Sequence, residues 1–255
     1  MKIVFFGTPQ FVDPVIKKLG EKFDVIEKIR EPQEFNDGTI ARLKSLSPDL
    51  FVVAAYGQIL PKKLLEIPRL GAVNIHPSLL PKYRGASPIQ NAILTGDPKT
   101  GVTFIKMDGE IDHGSILEQF EEEIKISDTF ESLAKRLFEK SAEALEHVIT
   151  RYSKELSGKP QDDSKATFTK IITKQDGYID LSSPPGLEQL DRMIRAYYPW
   201  PGVYTKYQIS NIKYQIIKLL PDKKIQVEGK KSTSLTDFKN GYEKGEEFLK
   251  KIGLN

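Results

Sequence analysis

Two short runs, Ile3-Val-Phe-Phe6 and Leu50-Phe-Val-Val-Ala-Ala55, are apolar at every position rather than at every second one. A strand that is apolar on both sides needs cover on both sides, and helical crossovers supply it in a parallel sheet. Between the runs lie an amphipathic stretch at 11–19, with Pro14 suited to a first helical turn, a further strand at 23–29, and a helix over about 37–46 with Ile40 and Leu43 on one side. The alternation predicts an α/β chain with a mostly parallel sheet.

The turn after the first strand, Gly7-Thr-Pro-Gln-Phe11, lacks the second and third glycines that a dinucleotide pyrophosphate requires. Tyr56-Gly57 follows the second apolar run, at the carboxyl end of a strand, which is where open α/β sheets take ligands.

The residues able to do chemistry fall between 71 and 117. Asn74 and His76 are two residues apart on an extended segment, so their side chains leave the backbone on one face. Pro77 and Pro81 restrict φ on either side of Ser78-Leu-Leu80 and stiffen the exit from the strand. An imidazole gives or takes a proton near neutral pH, and an Asn amide donates to an oxygen on which negative charge grows. The pair suits attack at a carbonyl-type carbon. Asp112 lies 36 residues beyond His76, in the loop 107–114 between strand-like segments at 101–107 and 115–120. It is placed to orient the imidazole or to receive a proton from an attacking amine.

Other chemistries are excluded by composition and spacing. The chain has no cysteine, which removes disulfides, thiolate nucleophiles and Cys-based metal sites. Asp108, Glu110 and Asp112 begin like a calcium loop, but His113 stands where the turn needs Gly, and Gln119 where the closing Glu belongs. No metal is expected. Of the three histidines, His147 is a surface or boundary residue of a helical pattern, and His113 is either a loop residue or part of the rim of a site around Asp112.

Further along, Ser87 caps a helix that begins at Pro88 and runs to about 94, and Asp128-Thr-Phe-Glu131 reads as a capping box opening a helix to about 156. The Gly-, Pro-, Asp-, Lys- and Thr-rich stretch 157–176 reads as a linker. The expected division is thus 1–156, a linker at 157–176, and 177–255, where a helix at 186–197, short strands at 203–209, 214–220 and 224–228, and a helix at 243–252 make a small β-unit. This last part holds 13 Lys and Arg against 9 Asp and Glu, so it carries the basic excess of a chain whose total is +3. Lys206, Lys213, Lys218, Lys230 and Lys231 are interleaved there with Tyr204, Tyr207 and Tyr214, a combination suited to nucleic acid. No apolar run has the length of a membrane span, and the opening run breaks at Gly7-Thr-Pro too soon for a signal peptide, so a cytoplasmic location is expected.

A resemblance adds to this reading. Asn74-Ile-His-Pro-Ser-Leu-Leu-Pro81, Tyr83-Arg-Gly85 and Asp112-x-Gly114 resemble the signature of the formyltransferase family that uses 10-formyltetrahydrofolate. Gly85-Ala-Ser-Pro-Ile-Gln90, Gly96-Asp97, Thr100-Gly-Val-Thr103, Phe6-Gly-Thr-Pro-x-Phe11, Val53-Ala-Ala-Tyr-Gly-x-Ile-Leu-Pro61 and Tyr198-Pro-Trp-Pro-Gly202 resemble its methionyl-tRNA branch, and Glu228-Gly-Lys-Lys231 with Asp237-Phe238 is similar to the C-terminal end of that branch.

The resemblance implies a Rossmann-like, mostly parallel formyltransferase domain followed by a small OB-like β-barrel that binds tRNA. It implies Asn74, His76 and Asp112 as the catalytic group, with 10-formyltetrahydrofolate held near Tyr56, Gln58, Ile59, Ser78, Leu79, Leu80 and Pro81. Acceptor contacts fall to Tyr83, Arg84, Gly85, Lys206, Lys230 and Lys231. The implied reaction moves a formyl group to the α-amine of methionyl initiator tRNA and releases tetrahydrofolate, with no metal, in a monomer. Two stretches depart from the branch: the segment 29–36 is short and not basic, and Ser232-Thr-Ser234 stands where a Pro-Met-Ser run is usual. An amino-sugar nucleotide or another small amine is therefore a rival acceptor, and a tRNA-binding relative without catalysis a second rival.

Overall fold

The computed structural model describes residues 1–155, 157–209 and 214–254. The chain opens with β1 (Lys2–Phe6), a 3-10 turn at Gln10–Val12, α1 (Asp13–Lys22), β2 (Asp24–Ile29), α2 (Asp37–Ser45), β3 (Leu50–Ala54), α3 (Lys62–Leu65) and β4 (Ala72–His76). It continues through β5 (Arg84–Gly85), α4 (Pro88–Thr95), β6 (Lys99–Lys106), β7 (Ile116–Glu123), α5 (Phe130–Glu155) and β8 (Phe168–Thr169). Then come α6 (Leu187–Tyr197), β9 (Val203–Tyr207), β10 (Gln215–Leu220), β11 (Lys224–Val227), β12 (Thr233–Ser234), α7 (Leu235–Gly241) and α8 (Gly245–Lys251). Two compact units form: Met1–Pro88, Pro98–Ile124 and Leu133–Lys170 in one, and Ile89–Asp97, Lys125–Ser132 and the chain from Ile171 in the other.

The first unit is built on a six-stranded sheet in the order β2-β1-β3-β4-β6-β7. β1, β2, β3 and β4 pair in parallel, whereas β6 runs antiparallel to both β4 and β7. The apolar residues of β1 beyond Lys2 and all of β3 are buried, as their two-sided apolarity requires, while on the edge strand β7 Glu121 and Glu123 point outward and Glu118 and Glu122 are half-buried against Arg151, Arg136 and Lys140 of α5. Phe6 meets Phe51 and Tyr56 edge-on, with centroids at 5.1 and 5.4 Å. Sequence neighbours leave β1 on opposite sides, toward β2 and β3, so the sheet has its switch point between β1 and β3; there Thr8 donates through Oγ1 to the Tyr56 carbonyl. Along α5, Leu133, Leu137, Phe138, Ser141, Leu145, Val148 and Ile149 recur at helical spacing and are buried, and Tyr152 donates to the Leu70 carbonyl at 2.6 Å.

The second unit carries an antiparallel sheet in the order β12-β11-β10-β9. Val203, Thr205, Ile217, Leu219, Ile225 and Val227 point inward from it. A parallel bridge joins Tyr178 to Tyr204 beside β9, and Phe248 packs on Tyr207 and Phe238. Among the described residues, no helix is long and apolar enough to cross a membrane.

Local chemistry differs from the sequence reading in three places. Glu131 does not close the capping box of α5: the backbone of Ser132 donates to Thr129 Oγ1 and that of Thr129 to Ser132 Oγ, so a hydroxyl pair closes the turn. The helix α7 went unread although its cap, Ser234 accepting from the Asp237 backbone, lies in a Ser-x-x-Asp box. The stretch 157–170 is no free connector: Lys159 bridges to Ile116, β8 pairs with β5, and the segment belongs to the first unit. Lys213, one of the interleaved lysines, lies outside the described residues.

Phe51 is fully buried against Phe6 in the middle of this sheet. Phe51→Ala is expected to cost about 3–5 kcal/mol, measured as a lower guanidinium midpoint at unchanged slope; a loss below about 1 kcal/mol would show that the ring is not part of a close-packed core.

Candidate active site

β4 delivers Asn74 and His76 to the centre of the first sheet, between β3 and β6, where His76 pairs across to Thr103. The chain beyond is held by buried hydroxyls. Thr103 Oγ1 donates to the Ser78 carbonyl at 2.6 Å and accepts from the Leu80 backbone, and Ser78 Oγ donates to the Lys82 carbonyl. Tyr83 then takes a positive φ of 65° and turns its carbonyl toward His76, whose Nε2 lies 2.9 Å away. A carbonyl only accepts, so Nε2 carries the hydrogen.

Asp112 meets both β4 side chains. Asn74 Nδ2 donates to its Oδ1 at 3.1 Å, the Gly85 backbone donates to Oδ2 at 2.9 Å, and His76 Nδ1 stands 3.4 Å from Oδ2. The imidazole thus stands between two oxygens of the chain, donating through Nε2 to the Tyr83 carbonyl and turning Nδ1 toward the carboxylate. Burial pushes the Asp112 carboxyl up, but the charge and hydrogen bond of His76, the Gly85 N–H and the Asn74 amide outweigh burial and hold it below its ordinary value. The glycines of the motifs have steric reasons. Gly85 has a φ of 106° and a Cβ there would stand 2.6 Å from the Thr169 carbonyl oxygen, while one on Gly114 would strike the Lys106 carbonyl.

Asp112 itself has a φ of 47°, and its carbonyl accepts from Gln161 Nε2 at 2.8 Å. Arg84, only 4% exposed, donates to Gln161 Oε1 and to Asp163 Oδ1. His113 completes the rim, with Nδ1 at 2.7 Å from Asp108 and Nε2 at 3.5 Å from Asp163. Among the described residues, no group of three or more His, Asp or Glu side chains is placed to hold a metal ion.

Residues 13–149 match the family described as formyl transferase, and 171–224 its C-terminal domain. The chain belongs to the formyl transferase family. A methionyl-tRNA formyltransferase of Roseiflexus sp. is 41% identical over 81% of this chain and 62% of its own length; one of Caldanaerobacter subterraneus is 35% identical over 84% and 79%. The chain spans about three fifths of the length of the first of these relatives. Two solved structures share the fold: methionyl-tRNA formyltransferase from Clostridium thermocellum, with a TM-score of 0.68 at 22% identity over 91% of this chain and 98% of that one, and HypX from Aquifex aeolicus in complex with tetrahydrofolic acid, with 0.73 at 16% over 89% and 42%.

The structure brings Asn74, His76, Asp112 and Gly85 together, with Tyr83 behind the imidazole. The residues assigned to the formyl donor divide. Tyr56 is buried and donates to the Glu31 carbonyl, and Gln58 exchanges two hydrogen bonds with the Gln33 backbone, so both pin the short 29–36 segment; Ile59 is 73% exposed. Ser78 and Leu80 are buried supports, whereas Leu79 and Pro81 are half-buried. Of the acceptor residues, Arg84 turns inward, and Lys206, Lys230 and Lys231 are exposed in the second unit. Gln161, Asp163, Thr167 and Thr169 were missed, because polar residues near Gly158 and Pro160 read as a linker. The one signal was Thr167-Phe-Thr169, a run of strand-forming residues that becomes β8.

Because its folded pKa lies below the unfolded one, Asp112 contributes stability that is complete above the ordinary carboxylate pKa and is lost as pH falls through the folded value. Denaturation midpoints of the protein and of Asp112→Asn are expected to differ most above about pH 5 and to draw together below about pH 4. A difference that stays constant to about pH 3 would mean that the site does not hold an ionised carboxylate.

Proposed function

We propose that this chain transfers the formyl group of 10-formyltetrahydrofolate to the α-amine of methionyl initiator tRNA. The observation that carries the reading is the Asn74–Asp112 pair: an amide donor on a strand in mid-sheet and a half-buried ionised carboxylate on the loop beside it, joined at 3.1 Å. The second amide hydrogen of Asn74 has no partner among the described residues, and Asp112 Oδ1 has a lone pair left after accepting the first. Such a pair suits an amine attacking a formyl carbon. The amide stabilises the oxygen as its negative charge grows, and the carboxylate takes the proton that the amine sheds and returns it to the departing folate nitrogen. Both nitrogens of His76 face oxygens of the chain, so its part is to hold the charge of Asp112 rather than to reach the formyl oxygen.

The switch point between β1 and β3, bordered by Thr8 and Tyr56, favours folate on that side, as does the likeness in fold to a structure holding tetrahydrofolic acid. For the acceptor, the support is the identity of 35–45% to proteins named methionyl-tRNA formyltransferase. The outer face of the second sheet adds to it: Lys206, Lys218 and Lys224 are exposed there, and Lys174 stands over the Tyr204 ring at 5.9 Å. Lysines around an aromatic ring suit a phosphate backbone with its bases. The 29–36 segment offers less, since Arg30 is paired with Asp13 at 2.8 Å. With such an acceptor the protein works in the cytoplasm, as a monomer and without a metal.

Asn74→Ala is expected to lower the turnover of methionyl initiator tRNA formylation on the order of a hundredfold, with little change in KM for the donor. Turnover near that of the unaltered protein would dismiss the amide. Formylation of an amino-sugar nucleotide in place of tRNA would keep the chemistry and replace the acceptor, and formylation of neither would leave a binding protein.

A further inference from the structure

We infer that Gln161 is a positioning residue of this active site, acting on the reaction through the backbone of Asp112; the inference rests on the formyl-transfer reading only for its kinetic consequence. Asp112 keeps its carboxylate among Asn74, His76 and Gly85 from a left-handed backbone with φ of 47°, a conformation unfavourable for a non-glycine residue that persists only where its surroundings impose it. Gln161 imposes it from outside the loop. Its Nε2 donates to the carbonyls of Asp112 and Gly114, both at 2.8 Å, so one amide clamps the two ends of the turn.

The amide orientation is unambiguous. Oε1 faces Nε and an Nη of Arg84, at 3.1 and 2.8 Å, and a guanidinium has no acceptor; Nε2 faces two carbonyls, which have no donor. All four hydrogen-bonding positions of the amide are therefore used. Arg84 is fixed in turn by Asp163 at 2.7 Å and by its place in β5, whose next residue, Gly85, donates to Asp112. Gln161 thus locks together the two segments that meet at the catalytic carboxylate. It comes from a stretch that contributes no group to the chemistry itself.

Two substitutions separate the halves of this lock. Gln161→Glu keeps an acceptor for Arg84 and the size of the side chain but cannot donate to Asp112 and Gly114; Gln161→Met removes both halves without adding charge. Turnover on methionyl initiator tRNA is expected to fall by roughly ten- to a hundredfold in both, with KM for the donor within about threefold, because misplacement of a catalytic group acts on turnover. Turnover of the unaltered protein in Gln161→Glu would show that only the Arg84 tie matters and would overturn the inference.

The second readout needs no activity. Asp112 is followed through a pH titration by carbon NMR of its carboxyl group, with the resonance assigned by its loss in Asp112→Asn. In Gln161→Met, Asp112 is expected to take up its proton at a higher pH than in the unaltered protein, having lost alignment with its three donors. An unchanged titration in a folded Gln161→Met protein would overturn the inference whatever the turnover. If the unaltered protein formylates nothing, the proposed reaction fails, and the titration still decides the role of Gln161.

Discussion

A carboxylate taken out of water picks up a proton unless donors replace the water it has lost. Asp112 meets that requirement with one amide, one backbone N–H and one imidazole, drawn from β4 and β5, and the first unit is arranged so that these arrive together. The burial of β4 in mid-sheet fixes Asn74 and His76 with no freedom to turn away. The hydroxyl of Thr103, on the strand beside β4, ties down the chain leaving it, so that Tyr83 can hold the far side of the imidazole. Each of these contacts would be a weak addition to stability on its own, but losing one donor leaves a buried charge short of a partner, and that costs far more than the bond contributes.

The parts of this arrangement carried by local pattern were legible in the chain. Two-sided apolarity in β1 and β3 marked the parallel core, and the two-residue spacing of Asn74 and His76 marked a shared face. Asp112 was legible as a candidate because Asp112-x-Gly114 resembles the motif that accompanies Asn74 and His76; the carboxylate alone would read as an ordinary turn residue. Its partners outside β4 were not. The Gly85 N–H is a backbone group with no signature of its own, and Gln161 sits among residues whose composition signals a turn or a connector. Composition reports whether a segment can bury apolar surface; 157–170 buries little and is held instead by hydrogen bonds to β5 and to the 112–114 turn, which no periodicity records.

The same distinction explains Tyr56, Gln58 and Arg84. Motif position marks them as contacts for a substrate, yet each gives its polar atoms to the chain itself: Tyr56 and Gln58 to the backbone of 31–33, Arg84 to Gln161 and Asp163. A polar side chain beside a site either touches the ligand or holds the loop that does, and sequence spacing is identical in the two cases. Burial separates them: Tyr56 is 3% exposed and Arg84 4%, against 73% for Ile59.

Backbone strain follows the same geography only in part. Of the six non-glycine residues with positive φ among the described residues, Ser47, Asp222 and Lys223 lie in turns away from the site, whereas Ala55, Tyr83 and Asp112 lie where strands of the first unit end around Asn74 and His76 or at the switch point beside them. Elsewhere in a fold such residues are replaced by glycine at little cost, because the turn is all that matters. Here the side chain or the carbonyl of the strained residue is what the site uses: the Tyr83 carbonyl fixes the imidazole, and the Asp112 carboxylate meets Asn74 and His76. Glycine at 112 would relieve the backbone and discard the charge. The rest of the unit must then hold that backbone in place, and the hydrogen bonds that converge on it are the structural consequence of putting the reactive group on a strained residue.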